Sequence, residues 1–232
     1  MIFRKESADN NFKPRIHLRR MIEALESLKK SPPGTHCLVV YPDLITLRTI
    51  YTHYTKIQLE RNEIVLILPY YETTDMVRLF LSGINVYVDI NDNNPFGYSG
   101  IEVGKYEKEG SLMIIDSLKA YFPLEEQGSF NNKNTKWGLN LISFIDVLLK
   151  HAKRRRRHGI TVLSDLGSFY HHSHNHSNQK LIEYEKSIPK KYEDISLKGF
   201  CLYGQNDFER HFSQEQQAQL IGCHNRNIGL AC

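Results

Sequence analysis

The chain has 232 residues, of which 41% are hydrophobic and 24% charged, with a formal net charge of +4. These proportions are typical of a globular protein and exclude an intrinsically disordered chain, and so small a charge does not favour wholesale nucleic-acid binding. The longest apolar runs, such as residues 139–149, are shorter than the roughly 20 residues of a membrane-spanning helix. Since the N-terminus also lacks the apolar region of a signal peptide, we expect a soluble, cytoplasmic protein without membrane contact.

In chain order, helical spacing of apolar residues predicts a first helix over about residues 15–30, which the run Pro32-Pro33-Gly34 ends. From there strands and helices alternate. Apolar runs predict strands at residues 37–41, 64–69, 86–90, 111–116, 159–163 and 198–203, with a short closing strand at 227–230. Helices are predicted at 43–61, from Thr73 or Thr74 to about 83, at 137–157, 179–188 and 213–222. Irregular chain is expected at 91–108 and a long loop at 125–136.

This alternation determines the predicted fold class. Strands that alternate with helices of about ten or more residues imply right-handed βαβ units. We therefore predict an α/β domain of three layers over residues 35–232, with a mainly parallel central sheet covered on both faces. A helical arm over residues 1–34 precedes it.

The four cysteines, Cys37, Cys201, Cys223 and Cys232, are spread along the chain without a C-x-x-C pair. Cys37 and Cys201 lie inside apolar, strand-like runs. Free thiols buried in a reducing compartment explain this pattern better than a disulfide or zinc framework does. The sequence therefore predicts no cofactor.

Three segments follow one another in a recognisable order. Residues 59–63 (LERNE) form a turn before the apolar strand 64–68, residues 114–118 (IIDSL) join an apolar run to an acid, and residues 159–163 (GITVL) form the next strand. Residues 35–165 thereby resemble the KaiC/RecA-like core of P-loop NTPases. In that resemblance Asn62 replaces the glycine of a Gly-Glu turn, Glu63 is retained, and Asp116 matches the Walker B acid.

The phosphate-binding loop of such a core is missing. The motif G-x-x-x-x-G-K-[ST] uses glycines for close backbone approach, a lysine for the terminal phosphates and a hydroxyl for Mg²⁺. The matching positions here are Tyr41, Thr46, Leu47 and Arg48. Asp43 adds a negative charge, and a carboxylate ~4 Å from a phosphate charge costs roughly 4 kcal/mol at an effective dielectric constant of about 20. Ordinary ATP hydrolysis is therefore not expected.

The C-terminal part of the chain adds a second pattern. The run 200–203 (FCLY) precedes an aromatic segment at 208–212, then Glu215-Gln216 and His224. A KaiC-like core that lacks the Walker A motif and ends in this way resembles the MEDS (methanogen/methylotroph DcmR sensory) domain. The resemblance implies a module that senses a ligand or signal in regulatory proteins, and it does not identify the ligand.

Side chains at the carboxyl ends of the predicted strands are candidates for a ligand site, because parallel α/β sheets bind ligands there. Asp116 either joins Glu72 and Asp43 in an acidic cluster or simply caps the turn that follows it. Tyrosines at this edge have two interpretations. Their rings and hydroxyls contact a small organic ligand, or they only pack against the edge of the sheet. We expect a small, apolar cavity with Tyr41 and Tyr71 as walls and Asp116 as its main charged group. The candidate pocket comprises Tyr41, Asp43, Tyr70, Tyr71, Glu72, Asp116 and Tyr203.

Two polar runs complete the set of candidate residues. Imidazoles as dense as His171, His172, His174 and His176 chelate divalent ions. Without neighbouring cysteines, a flexible loop with adventitious metal affinity is the favoured interpretation. A basic run is either a solvated helix C-terminus or a contact to phosphate, nucleic acid or an acidic partner, and no aromatic interleaving supports base recognition. It consists of Lys153, Arg154, Arg155, Arg156 and Arg157.

The leading hypothesis is a non-catalytic sensory or regulatory module that binds a small ligand or a protein partner in signal transduction or transcriptional control. One alternative is a divergent nucleotide hydrolase that uses Asp116 and Glu72, with Arg48 as a substitute cation. Another is an interaction protein that oligomerises through the N-terminal arm and needs no ligand.

Overall fold

A computed structural model describes residues 12–84, 100–122, 139–171, 178–188 and 196–229 of the protein. Within these residues six strands form one sheet in the order β3-β2-β4-β5-β1-β6, and each neighbouring pair is parallel. The predicted α/β class with a parallel central sheet is confirmed. The strands are β1 (His36–Tyr41), β2 (Ile64–Leu68), β3 (Leu112–Ile114), β4 (Ile160–Asp165), β5 (Leu197–Gly204) and β6 (Arg226–Gly229).

Helices occupy the connections between the strands. The segment after β1 is helical throughout, with a π-helical turn, Ile50–Tyr54, between α2 and α3. No described helix has both the length and the apolar character that crossing a bilayer would demand. The helices are α1 (Phe12–Lys29), α2 (Leu44–Thr49), α3 (Thr55–Glu60), α4 (Thr74–Leu81), α5 (Val103–Lys108), α6 (Ser117–Tyr121), α7 (Leu139–Arg154), α8 (Gly167–His171), α9 (Asn178–Ser187), α10 (Gln205–His211) and α11 (Gln214–Cys223).

Most predicted elements are found within a few residues of their expected positions. The strand predicted at 86–90 and the loop predicted at 125–136 lie outside the described residues. The structure corrects the prediction of irregular chain at 91–108, because Val103–Lys108 is a helix. Three further helices, α6, α8 and α10, have five to seven residues each. Such short segments do not complete enough turns to show a 3.6-residue period in the sequence.

The direction of each connection decides which face of the sheet its helices cover. From β1 to β2 and on to β3 the chain moves toward one edge of the sheet, whereas from β3 to β4, β5 and β6 it moves toward the other. Right-handed connections in opposite directions place their helices on opposite faces. Accordingly, Leu47, Tyr51 and Leu81 belong to one buried cluster, and Phe169 and Phe212 belong to the other.

Helix α1 packs against the first of these faces. Met21, Ala24, Leu25 and Leu28 are buried in the same cluster as the side chains of α2 and α3. Their spacing of three to four residues places them on one side of the helix. From Met21 onward, the apolar side of α1 is therefore part of the core.

Candidate functional site

The connections diverge between the adjacent strands β2 and β4. The chain leaves β2 toward β3 and leaves β4 in the opposite direction toward β5. The following helices lie on opposite faces, which opens a crevice beyond the carboxyl ends of these two strands, the usual ligand position in open α/β sheets. Tyr70 and Tyr71 come after β2, and Asp165 is the last residue of β4.

A cavity of about 400 Å³ opens beside this point, between the carboxyl ends of β2 and β3. Four of the seven predicted pocket residues, Tyr70, Tyr71, Glu72 and Asp116, are among those that line it. The cavity, called here the carboxyl-edge cavity, is lined by Tyr70, Tyr71, Glu72, Thr73, Thr74, Ile114, Ile115, Asp116 and Lys119.

The other three predicted residues are not among the residues that line this cavity. Tyr41 is 2% exposed and belongs to the core on the α1 face. Tyr203 is buried on the opposite face, where its hydroxyl donates to Glu185 Oε1 at 3.0 Å. Side chains of parallel neighbouring strands lie on either face of the sheet, and these two residues are packed in the two opposite cores.

The three predicted carboxylates each have their own donor. Asp43 caps α2 by accepting from the Thr46 backbone N–H at 2.8 Å, and Asp116 caps α6 by accepting from the Lys119 N–H at 3.2 Å. Glu72 accepts from Arg48 Nε at 2.7 Å. Among the described residues, these carboxylates do not form one of the groups whose ligand atoms converge within 4.8 Å. The capping interpretation of Asp116 is the one that its contacts support.

Asp165 is a site residue that sequence reasoning missed. It is buried, and its carboxylate accepts backbone N–H bonds from Tyr70, Tyr71 and Gly167 at 3.4, 3.3 and 3.1 Å. Burial, which outweighs these hydrogen bonds, raises its pKa to about 7. Asp165 has the same pattern as Asp116, an acid at the end of an apolar strand. It was not predicted because the strand was expected to end at residue 163, two residues too early.

The Tyr71 hydroxyl lies at the centre of a second polar group, the Tyr71 cluster, made of Tyr71, Tyr170, His171, Asp207 and His211. Tyr71 donates to the Asp207 carboxylate, and its hydroxyl oxygen lies 3.0 Å from His171 Nε2. The Asp207 Oδ1 atom lies 3.4 Å from His171 Nε2 and 3.7 Å from His211 Nε2. Burial raises the pKa of Tyr71 well above its ordinary value, so the hydroxyl keeps its proton and acts as a donor. One tyrosine thus joins this cluster to the carboxyl-edge cavity.

Gly167 allows Tyr70 and Tyr71 to pack closely against β4. A Cβ atom at this position would lie 2.4 Å from Tyr70 Cδ1 and 2.9 Å from Tyr71 Cε2. Only glycine fits without moving the two rings, which fixes both of them against the end of the central strand.

The two polar runs separate into different environments. Of the four predicted histidines, His171 is in the Tyr71 cluster, whereas His172, His174 and His176 lie outside the described residues. In the basic run, Arg157 turns inward and donates to Asn62 Oδ1 at 2.7 Å and to Ser111 Oγ at 2.6 Å. Exposed residues of this run are Lys153, Arg154, Arg155 and Arg156.

Asn62 has φ 61°, the left-handed conformation of the glycine that it replaces in the resemblance.

Neither a scan against protein-family models nor a search of curated proteins matches this chain. The resemblance to the MEDS domain therefore stays a prediction.

Proposed function

We propose that this protein is a non-catalytic sensory or regulatory module that binds a small organic ligand in the carboxyl-edge cavity. The observation that carries the proposal is the position and lining of that cavity. It lies beside the point where the connections diverge, and its lining combines two tyrosines, two isoleucines and two threonines with three charged side chains. A volume of about 400 Å³ lies within the range of small-molecule pockets.

The segment after β1 supports a ligand other than a phosphate. The N-terminus of α2 is already capped by the Asp43 carboxylate, which takes the place that a phosphate oxygen would need. Leu47, at the position of the P-loop lysine in the resemblance, is fully buried. This local structure argues against the hydrolase alternative.

The residues named for that alternative have structural partners as well. Arg48, the proposed substitute cation, is bound to Glu72, the proposed catalytic acid. Its guanidinium also lies 4.6 Å from the centre of the Phe80 ring. A cation and an acid that neutralise each other do not provide the uncompensated positive charge that a γ-phosphate requires.

Native mass spectrometry of the purified full-length chain tests the proposal directly. We expect a small molecule to co-purify, and we expect Tyr71→Ala to abolish its retention because the ring is a wall of the cavity. Tyr106→Ala is the matched control, since Tyr106 lies on α5 and does not line the cavity. Loss of the molecule in both variants would indicate general unfolding rather than a local site.

Calorimetry with ATP and Mg²⁺ distinguishes the module from the hydrolase. We expect no binding tighter than the millimolar range, because residues 41–48 contain neither the glycines nor the lysine of a phosphate-binding loop. Micromolar ATP binding that Asp116→Ala abolishes would contradict the proposal and support the enzyme.

A further inference from the structure

Four buried side chains with metal-binding atoms converge at the amino end of the sheet, opposite the carboxyl-edge cavity. His36 begins β1, Cys201 lies on β5, Glu185 lies on α9, and His224 directly follows α11. One ligand atom from each lies within 4.8 Å of the others. This group is called here the His-Glu-Cys-His cluster, and none of its members lines the carboxyl-edge cavity.

Four of the distances between these atoms are close to those between ligands of one tetrahedral metal ion, and all are below 4.8 Å. Glu185 Oε2 lies 3.0 Å from His36 Nε2, 3.5 Å from His224 Nε2 and 3.6 Å from Cys201 Sγ, and the His36 Nε2 to Cys201 Sγ distance is 3.3 Å. Around a zinc ion with ordinary bond lengths to nitrogen, oxygen and sulfur, neighbouring ligand atoms of a tetrahedron lie about 3.3–3.6 Å apart. The cluster thus has close to the spacing that a bound ion would impose.

The outer atoms of two of these side chains are held so that the inner atoms face the cluster. His224 Nδ1 lies 2.7 Å from the Leu220 carbonyl oxygen, to which it donates, and Tyr203 donates to the outer carboxylate oxygen of Glu185 at 3.0 Å. Metal-bound histidines and carboxylates are characteristically oriented by such outer hydrogen bonds. These contacts leave His224 Nε2 and Glu185 Oε2 directed toward each other.

The buried Glu185 carboxylate needs a positive charge beside it. With Nδ1 donating to Leu220, a neutral His224 presents the lone pair of Nε2, a buried atom that has no hydrogen-bond partner. That lone pair faces the Glu185 carboxylate at 3.5 Å, which is unfavourable unless a proton on Nε2 or a metal cation lies between them. A dication satisfies both atoms, and the charges of a carboxylate and a thiolate then neutralise it within a buried site.

We propose that His36, Glu185, Cys201 and His224 bind one Zn²⁺ ion. Mixed nitrogen, sulfur and oxygen ligands favour zinc over the oxygen-seeking Ca²⁺ and Mg²⁺, and four protein ligands make the closed coordination of a structural site. The ion joins β1 and β5 to α9 and to the end of α11, so it stabilises the packing of these two helices against the sheet. A cavity of about 580 Å³ includes two of the four ligands, His36 and His224, in its lining.

Cobalt titration of the full-length chain, purified without a histidine tag and stripped of metal by a chelator, tests this site. We expect the thiolate-to-cobalt charge-transfer band and the visible bands of tetrahedral Co²⁺ to saturate at one equivalent, and Zn²⁺ to displace both. Cys201→Ser should remove the charge-transfer band, and His224→Gln should weaken Co²⁺ binding at least about 100-fold, since even second-shell changes cost 10–100-fold.

Cys223→Ser is the matched control, because Cys223 is the neighbour of His224 in sequence but is not part of the cluster. It should keep the full spectrum, and circular dichroism should show that each variant is folded. The thiolate band also excludes the histidines around residue 171 as its source, because they supply no sulfur. Absence of the band in the wild type, or its persistence in Cys201→Ser, would overturn the proposal. If Cys201→Ser does not fold, the wild-type titration and His224→Gln decide the question.

Discussion

At the scale of single residues, the buried carboxylates differ in what compensates their charge. Glu63 is bound by the Lys198 ammonium at 2.5 Å and by the Thr161 hydroxyl at 2.7 Å. Asp165 instead receives backbone N–H bonds at 3.1–3.4 Å, from Tyr70, Tyr71 and Gly167. Dipoles compensate a buried charge less well than a cation does, and this is why burial dominates at Asp165 and raises its pKa to about 7.

This raised pKa predicts a pH-dependent stability that Asp165→Asn removes. The native carboxyl holds its proton up to about pH 7, whereas the unfolded one releases it near its ordinary value of 3.8. The free energy of unfolding of the wild type, relative to Asp165→Asn, should therefore be highest below about pH 4. It should fall as the pH rises to about 7, by up to about 4 kcal/mol.

Urea unfolding at a series of pH values measures this difference. Asp75→Asn, at a carboxylate whose side chain is 90% exposed, supplies the background of an Asp-to-Asn change. If the difference between the wild type and Asp165→Asn stays constant from pH 4 to pH 7, the raised pKa is wrong.

At the scale of elements, the helical segment after β1 shows how a segment at the P-loop position is stabilised without phosphate. Its first turn is capped by Asp43, and its π-helical turn directs Tyr51 and Tyr54 into the core, where both are 0% exposed. A π turn holds one more residue than an α turn and so changes which side chains point inward. The segment is therefore anchored by its own cap and by two aromatic rings.

We predict that Asp43→Ala lowers the free energy of unfolding by about 1 kcal/mol, because the Thr46 N–H loses its acceptor. Asp43→Ser, which keeps a capping oxygen, should recover most of this loss in the same urea titration. Ser213→Ala, at the capping box of α11, is a second cap that should give a loss of similar size. Equal stability of Asp43→Ala and the wild type would show that the cap is not important.

At the scale of the whole molecule, the two ends of the sheet have different polar groups. At the amino end, Lys198 on β5 forms an ion pair with Glu63, which lies just before β2. The Lys198 ammonium also donates to the side-chain oxygen of Gln58 on α3. The carboxyl end holds the cavity and the Tyr71 cluster. The ion pair thus joins the start of β2 to β5, although β4 lies between these two strands in the sheet.

We predict that Lys198→Met lowers the free energy of unfolding by about 3–5 kcal/mol, because Glu63 is left as a buried carboxylate without its cation. The double variant Lys198→Met/Glu63→Gln should recover most of that loss, since both charges are then absent. A double-mutant cycle in urea measures the coupling. If the losses of the single variants simply add, the pair is not coupled.

The sequence by itself determined the fold class and most element positions. The run 64–68 is apolar throughout, and all five residues of β2 are buried, as expected for a strand covered on both faces. Thr73 and Ser213 were expected near helix starts, and both are N-caps. Asn62 was matched to a glycine and has the corresponding positive φ. These features are local, because burial patterns, caps and turns depend on residues that are neighbours along the chain.

Only the tertiary structure decided which side chains meet. Tyr71 and Asp207 are 136 positions apart, and His36 and Cys201 are 165 positions apart. No short motif links these pairs, so the cysteine spacing that argued against a zinc framework did not reveal the His-Glu-Cys-His cluster. The strand order brought Asp165 beside Tyr70 and directed Tyr41 and Tyr203 into opposite cores. Apolar periodicity specifies that a segment is a strand, but its neighbours depend on long-range pairing and on helix packing, which no local pattern encodes.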